Sequence, residues 1–164
     1  LDAVVFSGGE PTLQGGLAAA MEGVKAAGFK VGLHTAGCYP ERLPPLMPFL
    51  DWVGLDVKAL PGAYPRITGV PGSGARAWAS LEVLTGLGAA LEVRTTLLPG
   101  WTLAGEIEPL LRRLAAAGVE DYALQTCRTE HSLDPDLTGA GGRMPARAAL
   151  EELGDALFRR FRLR

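Results

Sequence analysis

Short apolar runs alternate along this chain with longer segments in which apolar residues recur every three or four positions. The runs cover residues 3–6, 30–34, 52–56, 91–96 and 122–125. They are too short for helices, and the fourth run alternates with β-branched residues, which favour a pleated strand. The pattern therefore predicts a strand at each of these runs.

The segments between the strands have helical spacing. They place these apolar residues on single helix faces: Leu17, Ala20, Met21 and Val24; Trp78, Leu81 and Leu84; Ile107, Leu110, Leu111 and Leu114; Leu150, Leu153 and Leu157. Gly28 and Gly118 follow the first and third segments, where a glycine helix cap belongs. Ser73 is a candidate N-cap for the second, and Pro145 suits the first turn of the last. We expect the basic residues at 159–164 to be the solvated end of that helix.

Alternation of strand and helix is typical of a parallel sheet with right-handed crossovers. The strand at 3–6 is apolar throughout and does not alternate, so we expect it to be buried, with helices or a barrel interior on both faces of the sheet. An open doubly wound sheet and a partial barrel both satisfy this pattern. In either fold, chemistry gathers at the C-terminal ends of the strands.

Composition narrows the function classes. The chain has 164 residues, a net charge of −2 and an apolar fraction of 48%, which suits one folded domain. There is no basic excess to favour nucleic acid and no apolar stretch long enough for a membrane span. The two cysteines, Cys38 and Cys127, lack metal-ligand spacing, so we interpret both as buried thiols in a reducing, cytoplasmic setting.

Polar residues follow the first two predicted strands. Gly8 and Gly9 allow a backbone to approach a ligand closely, and Glu10 offers a carboxylate to a cation such as an ammonium group. Thr35 adds a hydroxyl at the end of the second strand. Considered alone, the Gly-Gly-Glu sequence is better explained by an ordinary strand-to-helix turn with a solvated glutamate.

The other three strand ends carry charge or an amide. Asp56 and Lys58 point to the same side of their strand, Arg94 can bind a carboxylate in bidentate fashion, and Gln125 both donates and accepts. An internal Asp56–Lys58 ion pair is the structural alternative, and a Schiff base on Lys58 is a chemical one. Together the strand ends suit a ligand with an ammonium, a carboxylate and hydroxyls, such as an amino acid or S-adenosylmethionine (SAM).

Several stretches resemble the radical SAM superfamily in the order in which that family has them. They are FSGGEPTLQ at 6–14, HTAG at 34–37, WVGLDVK at 52–58, YPRITG at 64–69, EVRTT at 92–96 and YALQ at 122–125. The chain is most similar to activating proteins of anaerobic ribonucleotide reductase and to relatives that activate pyruvate formate-lyase. This resemblance implies that residues 1–164 are one α/β radical SAM core domain, a partial (β/α)6 barrel.

The resemblance also implies a reaction. In the family, a [4Fe–4S] cluster reductively cleaves SAM, and the resulting radical removes hydrogen from a glycine of a partner glycyl-radical enzyme. Gly8, Gly9 and Glu10 would face the amino group of SAM, and Asp56, Lys58 and Arg94 its ribose and carboxylate. Thr35 and Gln125 complete the candidate cofactor-binding set. Flavodoxin or ferredoxin would donate the electron.

The chain departs from the family at the cluster. The family's Cys-x-x-x-Cys-x-x-Cys loop is absent from these 164 residues, although such a cluster needs thiolate ligands. We therefore expect a barrel truncated at its N-terminus by one strand–helix unit, inactive by itself, with no catalytic or metal-ligating residue of its own. A Schiff-base lyase that uses Lys58 and a non-catalytic SAM-binding module are the alternative hypotheses.

Overall fold

The computed structural model describes residues 1–97, 104–127 and 145–164. Its strands are β1 (Ala3–Phe6), β2 (Lys30–Thr35), β3 (Trp52–Asp56), β4 (Leu91–Leu97), β5 (Asp121–Thr126) and β6 (Arg160–Leu163). They form one parallel sheet in chain order. The predicted α/β class with a parallel sheet is therefore confirmed.

Helices connect the strands. They are α1 (Leu17–Ala26), α2 (Tyr64–Thr68), α3 (Ser73–Gly86), α4 (Ala104–Ala116) and α5 (Arg147–Leu157). Short 3-10 helices lie at Pro11–Leu13, Pro40–Arg42, Pro44–Phe49 and Pro61–Ala63. Each of these four begins with proline, whose fixed φ suits the first helical position. Within the described ranges, no helix has the length and apolar character needed to cross a bilayer.

The chain divides into two compact units. One consists of Leu1–Val57 with Ala75–Val93, and the other of Lys58–Gly74 with Arg94–Arg164. The boundary falls inside β4, whose first three residues belong to the first unit and whose remainder belongs to the second.

The core of the first unit is made by the residues on one face of β2 and β3. Val31, Leu33, Val53 and Leu55 are at most 1% exposed, and Met21 of α1 is fully buried. The helical spacing that predicted α3 is confirmed, because Trp78, Leu81 and Leu84 are also buried. The predicted face of α1 is confirmed in part: Leu17 is buried, whereas Val24 is half-buried and Ala20 is exposed. Burial of these apolar side chains is the main term that stabilises such a layer.

The first strand does not share this burial. β1 pairs with β2 and lies at one end of the strand order, and the Val5 side chain is 46% exposed. The prediction of a buried first strand is therefore wrong for the described residues. An apolar run indicates a strand, but it does not show whether that strand is central or at an edge.

The second unit has its own core. Ile107, Leu110, Leu111 and Leu114 of α4 are all at most 2% exposed, as their spacing predicted. Leu150 of α5 is also buried, whereas Leu153 and Leu157 are half-buried.

The basic C-terminal segment is a strand, and the prediction of a helix end is wrong. β6 pairs with β5 in parallel register, Asp121 opposite Arg160. Arg160 and Arg162 bind the two oxygens of Asp121 at 2.7 and 2.6 Å, while Phe161 points to the opposite side and packs on Gly154. The alternation of arginine with apolar residues is a strand pattern. The prediction of a helix end followed the positive charge of the segment instead of this alternation.

Candidate functional site

The loop after β1 depends on two glycines. Gly8 and Gly9 have φ of 94° and 55°, a region that residues with a Cβ rarely adopt. A Cβ at either position would meet nothing within 4 Å. Backbone conformation, and not lack of space, therefore requires glycine here, and it turns the chain sharply into Glu10.

Glu10 joins the ends of β1 and β2. Its Oε1 accepts hydrogen bonds from the Thr12 amide at 3.2 Å, the Thr12 hydroxyl at 2.6 Å and the Thr35 hydroxyl at 2.8 Å. Its Oε2 accepts the Ala36 amide at 2.9 Å. The carboxylate also caps the 3-10 helix at Pro11–Leu13. Two of the predicted site residues, Glu10 and Thr35, are thus in direct contact.

Thr35 passes the network on to Gly37. The Thr35 side chain is 3% exposed, and its hydroxyl accepts the Gly37 amide at 3.0 Å while it donates to Glu10. A hydroxyl can do both at once because it has one donor and two acceptor positions. The end of β2 is therefore fixed by side-chain bonds as well as by the sheet.

Ser80 of α3 completes this network, and sequence reasoning missed it. Its fully buried hydroxyl donates to the Gly37 carbonyl at 2.8 Å. Ser80 lies three residues after the buried Ala77 and next to Leu81, which is fully buried. A serine at an apolar helical position was the signal available, because a buried hydroxyl needs a hydrogen-bond partner.

Arg42 supports the same loop from the outside. Its guanidinium donates to the Thr12 carbonyl at 2.8 Å and lies 4.8 Å from the centre of the Tyr39 ring. Arg42 thus holds the segment that carries the Thr12 donors to Glu10.

The remaining predicted residue of the first unit is Asp56, at the end of β3. It is half-buried and engaged in interactions within the chain. On the same face of β2 and β3, the rings of His34 and Trp52 are 5.2 Å apart. A Cβ at Gly54 would lie 2.6 Å from the Trp52 ring, so this glycine makes room for the indole.

Lys58, Arg94 and Gln125 belong to the second unit. The Lys58 amide donates to the Tyr64 hydroxyl at 2.9 Å, and the Gln125 side chain donates to the Thr96 hydroxyl at 2.7 Å. Arg94 is half-buried and has interactions of its own. The ligand roles of all eight residues stay predictions, as does the Schiff base on Lys58.

The residues present do not fit an iron–sulfur cluster. Such clusters take cysteine thiolates, whereas the chain has Cys38 in the first unit and Cys127 in the second. Both are half-buried, so the expectation that they are buried is wrong. Among the described residues, no three His, Cys, Asp or Glu side chains are grouped so that they could hold a metal ion.

Comparison with known proteins gives this site a context. No family model matches the chain. A protein of Methanocaldococcus jannaschii, named as a glycyl-radical enzyme activating enzyme, is 28% identical over 160 residues. The match covers 93% of this chain and 65% of the relative, so the chain spans about two thirds of that protein's length. The match indicates homology to a glycyl-radical enzyme activating enzyme.

Solved structures agree on the fold. A domain of pyruvate-formate lyase-activating enzyme from Bacteroides vulgatus superposes with a TM-score of 0.74 at 14% identity, covering 99% of both chains. SuiB from Streptococcus suis, solved with S-adenosylmethionine bound, has a TM-score of 0.68 at 13% identity and covers 99% of this chain and 39% of SuiB. The predicted radical-SAM-type partial barrel is therefore confirmed as a fold.

Proposed function

We propose that this chain is the SAM-binding part of a radical SAM activating protein, which generates a glycyl radical on a partner such as anaerobic ribonucleotide reductase. The observation that carries the proposal is the sequence match to a glycyl-radical enzyme activating enzyme over 93% of the chain. SAM is bound in the structural neighbour SuiB, and it has the ammonium, carboxylate and hydroxyls that suit the strand ends.

In this proposal the loop of Gly8, Gly9 and Glu10 receives the ammonium end of SAM. The turn exposes the backbone groups of Gly8 and Gly9 to the ammonium, and the negative charge of Glu10 beside them favours a cation in the loop. Thr35 holds the loop in place. Asp56, Lys58 and Arg94 bind the ribose hydroxyls and the carboxylate of SAM, and the guanidinium of Arg94 can do so in bidentate fashion. Gln125 adds an amide that both donates and accepts hydrogen bonds.

The proposal also needs an electron and a cluster. The family's [4Fe–4S] cluster would supply the reducing electron, delivered by a donor such as flavodoxin or ferredoxin. Because the chain's cysteines do not fit that cluster, its ligands are not among these 164 residues. The residues of this chain contribute binding and orientation of SAM, which is the usual share of the protein in cofactor chemistry.

Two measurements test the proposal. Titration calorimetry of the chain with SAM should show binding, and Asp56→Ala should weaken it about tenfold if the carboxylate holds a ribose hydroxyl. The native protein that contains this chain, loaded with iron and sulfide and reduced anaerobically, should form 5′-deoxyadenosine from SAM. If the cluster-loaded protein neither binds nor cleaves SAM, the proposal is wrong.

A further inference from the structure

The segment Ala36-Gly37 after Thr35 is held from two sides, by half-buried Glu10 and by buried Ser80. We propose that Glu10 and Ser80 are positioning residues: they fix the two-residue segment Ala36-Gly37 by its Ala36 amide and its Gly37 carbonyl, and SAM affinity depends on this fixed loop. In this view the Glu10 carboxylate acts through the loop and not by touching the ammonium of the ligand. This inference rests on the proposed function, and it assigns the two residues a different role from direct ligand contact.

The hydrogen bonds of Glu10 are the first support. Oε1 accepts three donors, two from Thr12 and one from Thr35, at 2.6 to 3.2 Å. The two oxygens of a carboxylate together offer about four acceptor positions, and the chain itself supplies four donors to Glu10. Oε2 is directed at the Ala36 amide, 2.9 Å away. The charge is thus stabilised by donors of the chain itself, without a ligand cation.

Ser80 holds the Gly37 end of the same segment. Its hydroxyl donates to the Gly37 carbonyl at 2.8 Å, and the Gly37 amide donates to the Thr35 hydroxyl at 3.0 Å. Since Thr35 in turn donates to Glu10, hydrogen bonds on either side of the Gly37 backbone connect α3 with the loop after β1. Removing a member leaves a buried polar group without its partner, which is more costly than the bond itself.

Close packing leaves Gly37 no room to move toward α3. Gly37 has φ of 68°, and a Cβ there would lie 2.9 Å from Leu55 Cδ1 and 3.0 Å from Ser80 Cβ. The glycine is therefore clamped between β3 and α3. Ser80 contributes to this clamp by shape as well as by its hydrogen bond.

The first experiment follows amide hydrogen exchange at Ala36 and Gly37 in the ligand-free chain. In Glu10→Gln, the amide oxygen should keep the place of Oε1 with its three donors, so the NH₂ group faces the Ala36 amide. We expect exchange at Ala36 to become about tenfold faster in this variant, and exchange at Gly37 similarly faster in Ser80→Ala.

Thr85→Ala is the matched control. Thr85 lies on the same helix, and its hydroxyl also donates to a backbone carbonyl, that of Leu81, at 2.9 Å. That carbonyl is not part of the loop, so exchange at Ala36 and Gly37 should stay at the wild-type rate. Wild-type exchange in both Glu10→Gln and Ser80→Ala would overturn the proposal, and so would equal acceleration in Thr85→Ala.

The second experiment separates positioning from direct contact. Affinity is measured calorimetrically for SAM and for its analogue that lacks the amino group. Positioning predicts that Glu10→Gln and Ser80→Ala weaken both ligands by the same factor, about tenfold. A loss confined to SAM in Glu10→Gln would show direct contact with the ammonium and overturn the proposal. If the wild type binds neither ligand, the proposed function fails with the affinity claim, while the exchange rates still decide whether Glu10 and Ser80 hold the loop.

Discussion

Two side-chain clusters of this protein are held together by different kinds of interaction. In the first unit, Glu10, Thr35 and Ser80 hold strand-end loops by hydrogen bonds of 2.6 to 3.2 Å. In the second, the rings of Tyr122, Phe158 and Phe161 lie 4.8 to 6.2 Å apart. The first cluster fixes directions between particular atoms, whereas the second fixes the distance between a helix and a sheet.

The difference predicts different sensitivities. Hydrogen bonds are directional, so the polar cluster should respond to the removal of a single atom. Aromatic packing depends on area and volume, so the second cluster should tolerate loss of a hydroxyl but not a change in volume. A ligand site needs the first kind of support, because binding depends on position within fractions of an ångström.

The largest expected effect is overpacking of the aromatic cluster. A Cβ at Gly154 of α5 would overlap the Phe161 ring at Cγ, Cδ1 and Cε1. Gly154→Ala should therefore lower the free energy of unfolding by about 2–3 kcal/mol, measured by urea denaturation.

Gly23→Ala in α1 is the control for this substitution. Gly23 is exposed, and a Cβ there would meet nothing within 4 Å. The same change should stabilise the protein by about 0.5–1 kcal/mol, because alanine is the better helix former. Equal effects at the two sites would contradict the volume argument.

Loss of one oxygen should be the next largest effect, and it concerns the polar cluster. Thr35→Val keeps the shape but removes a donor to Glu10 and the acceptor of the Gly37 amide. We expect a loss of about 2 kcal/mol in the free energy of unfolding. Thr96→Val removes the acceptor of Gln125 at a half-buried position in the second unit and should cost less than half as much, since water can replace it. A larger loss for Thr96→Val than for Thr35→Val would contradict the difference drawn between the two clusters.

Loss of the Tyr122 hydroxyl should be tolerated at neutral pH. Burial raises the pKa of Tyr122, an effect that the Thr95 side chain partly opposes, and the hydroxyl makes no hydrogen bond of ordinary geometry with the described residues. Tyr122→Phe should therefore be neutral or slightly stabilising at pH 7.

At alkaline pH the two proteins should diverge. In the unfolded chain tyrosines ionise at about pH 10, whereas Tyr122 stays neutral in the folded chain. The contribution of Tyr122 to the free energy of unfolding is therefore fully present below about pH 10 and is lost as the pH rises above it. By pH 11 the wild type should have lost about 1 kcal/mol more than Tyr122→Phe. Parallel pH profiles of the two unfolding free energies would show that the hydroxyl is accessible.

The smallest expected effect concerns a surface carboxylate of the first unit. The Val31 amide, followed by the Lys25 ammonium, lowers the pKa of Asp51. A carboxylate whose pKa is lowered by folding stabilises the folded state at pH values above its ordinary pKa of about 3.9. This stabilisation is lost as the pH falls through the pKa of the folded state. Asp51→Asn should cost about 0.5 kcal/mol at pH 7, since the side chain is one-third exposed, and nothing near pH 2. Glu108→Gln, in an exposed pair with Arg112, should have no measurable effect at either pH.

Part of the candidate site could be recognised from the sequence. Gly8, Gly9, Glu10 and Thr35 follow apolar runs, and parallel strands bring their C-terminal ends to one edge, so their grouping followed from a local pattern. Thr12 and Ser80 were missed. Their roles depend on the partners they meet in the folded chain, and Ser80 is 43 residues from Gly37.

By itself, the amino-acid sequence determined the places of β1 to β5 and of α1, α3, α4 and α5 along the chain, and the buried faces of α3 and α4. Hydrophobic periodicity determines these features because it is a property of neighbouring residues. Only the tertiary structure decided that β1 is an edge, that the arginines of β6 pair with Asp121, and that Ser80 holds the Gly37 carbonyl. Each of these depends on which distant residue lies opposite, and no local pattern specifies that.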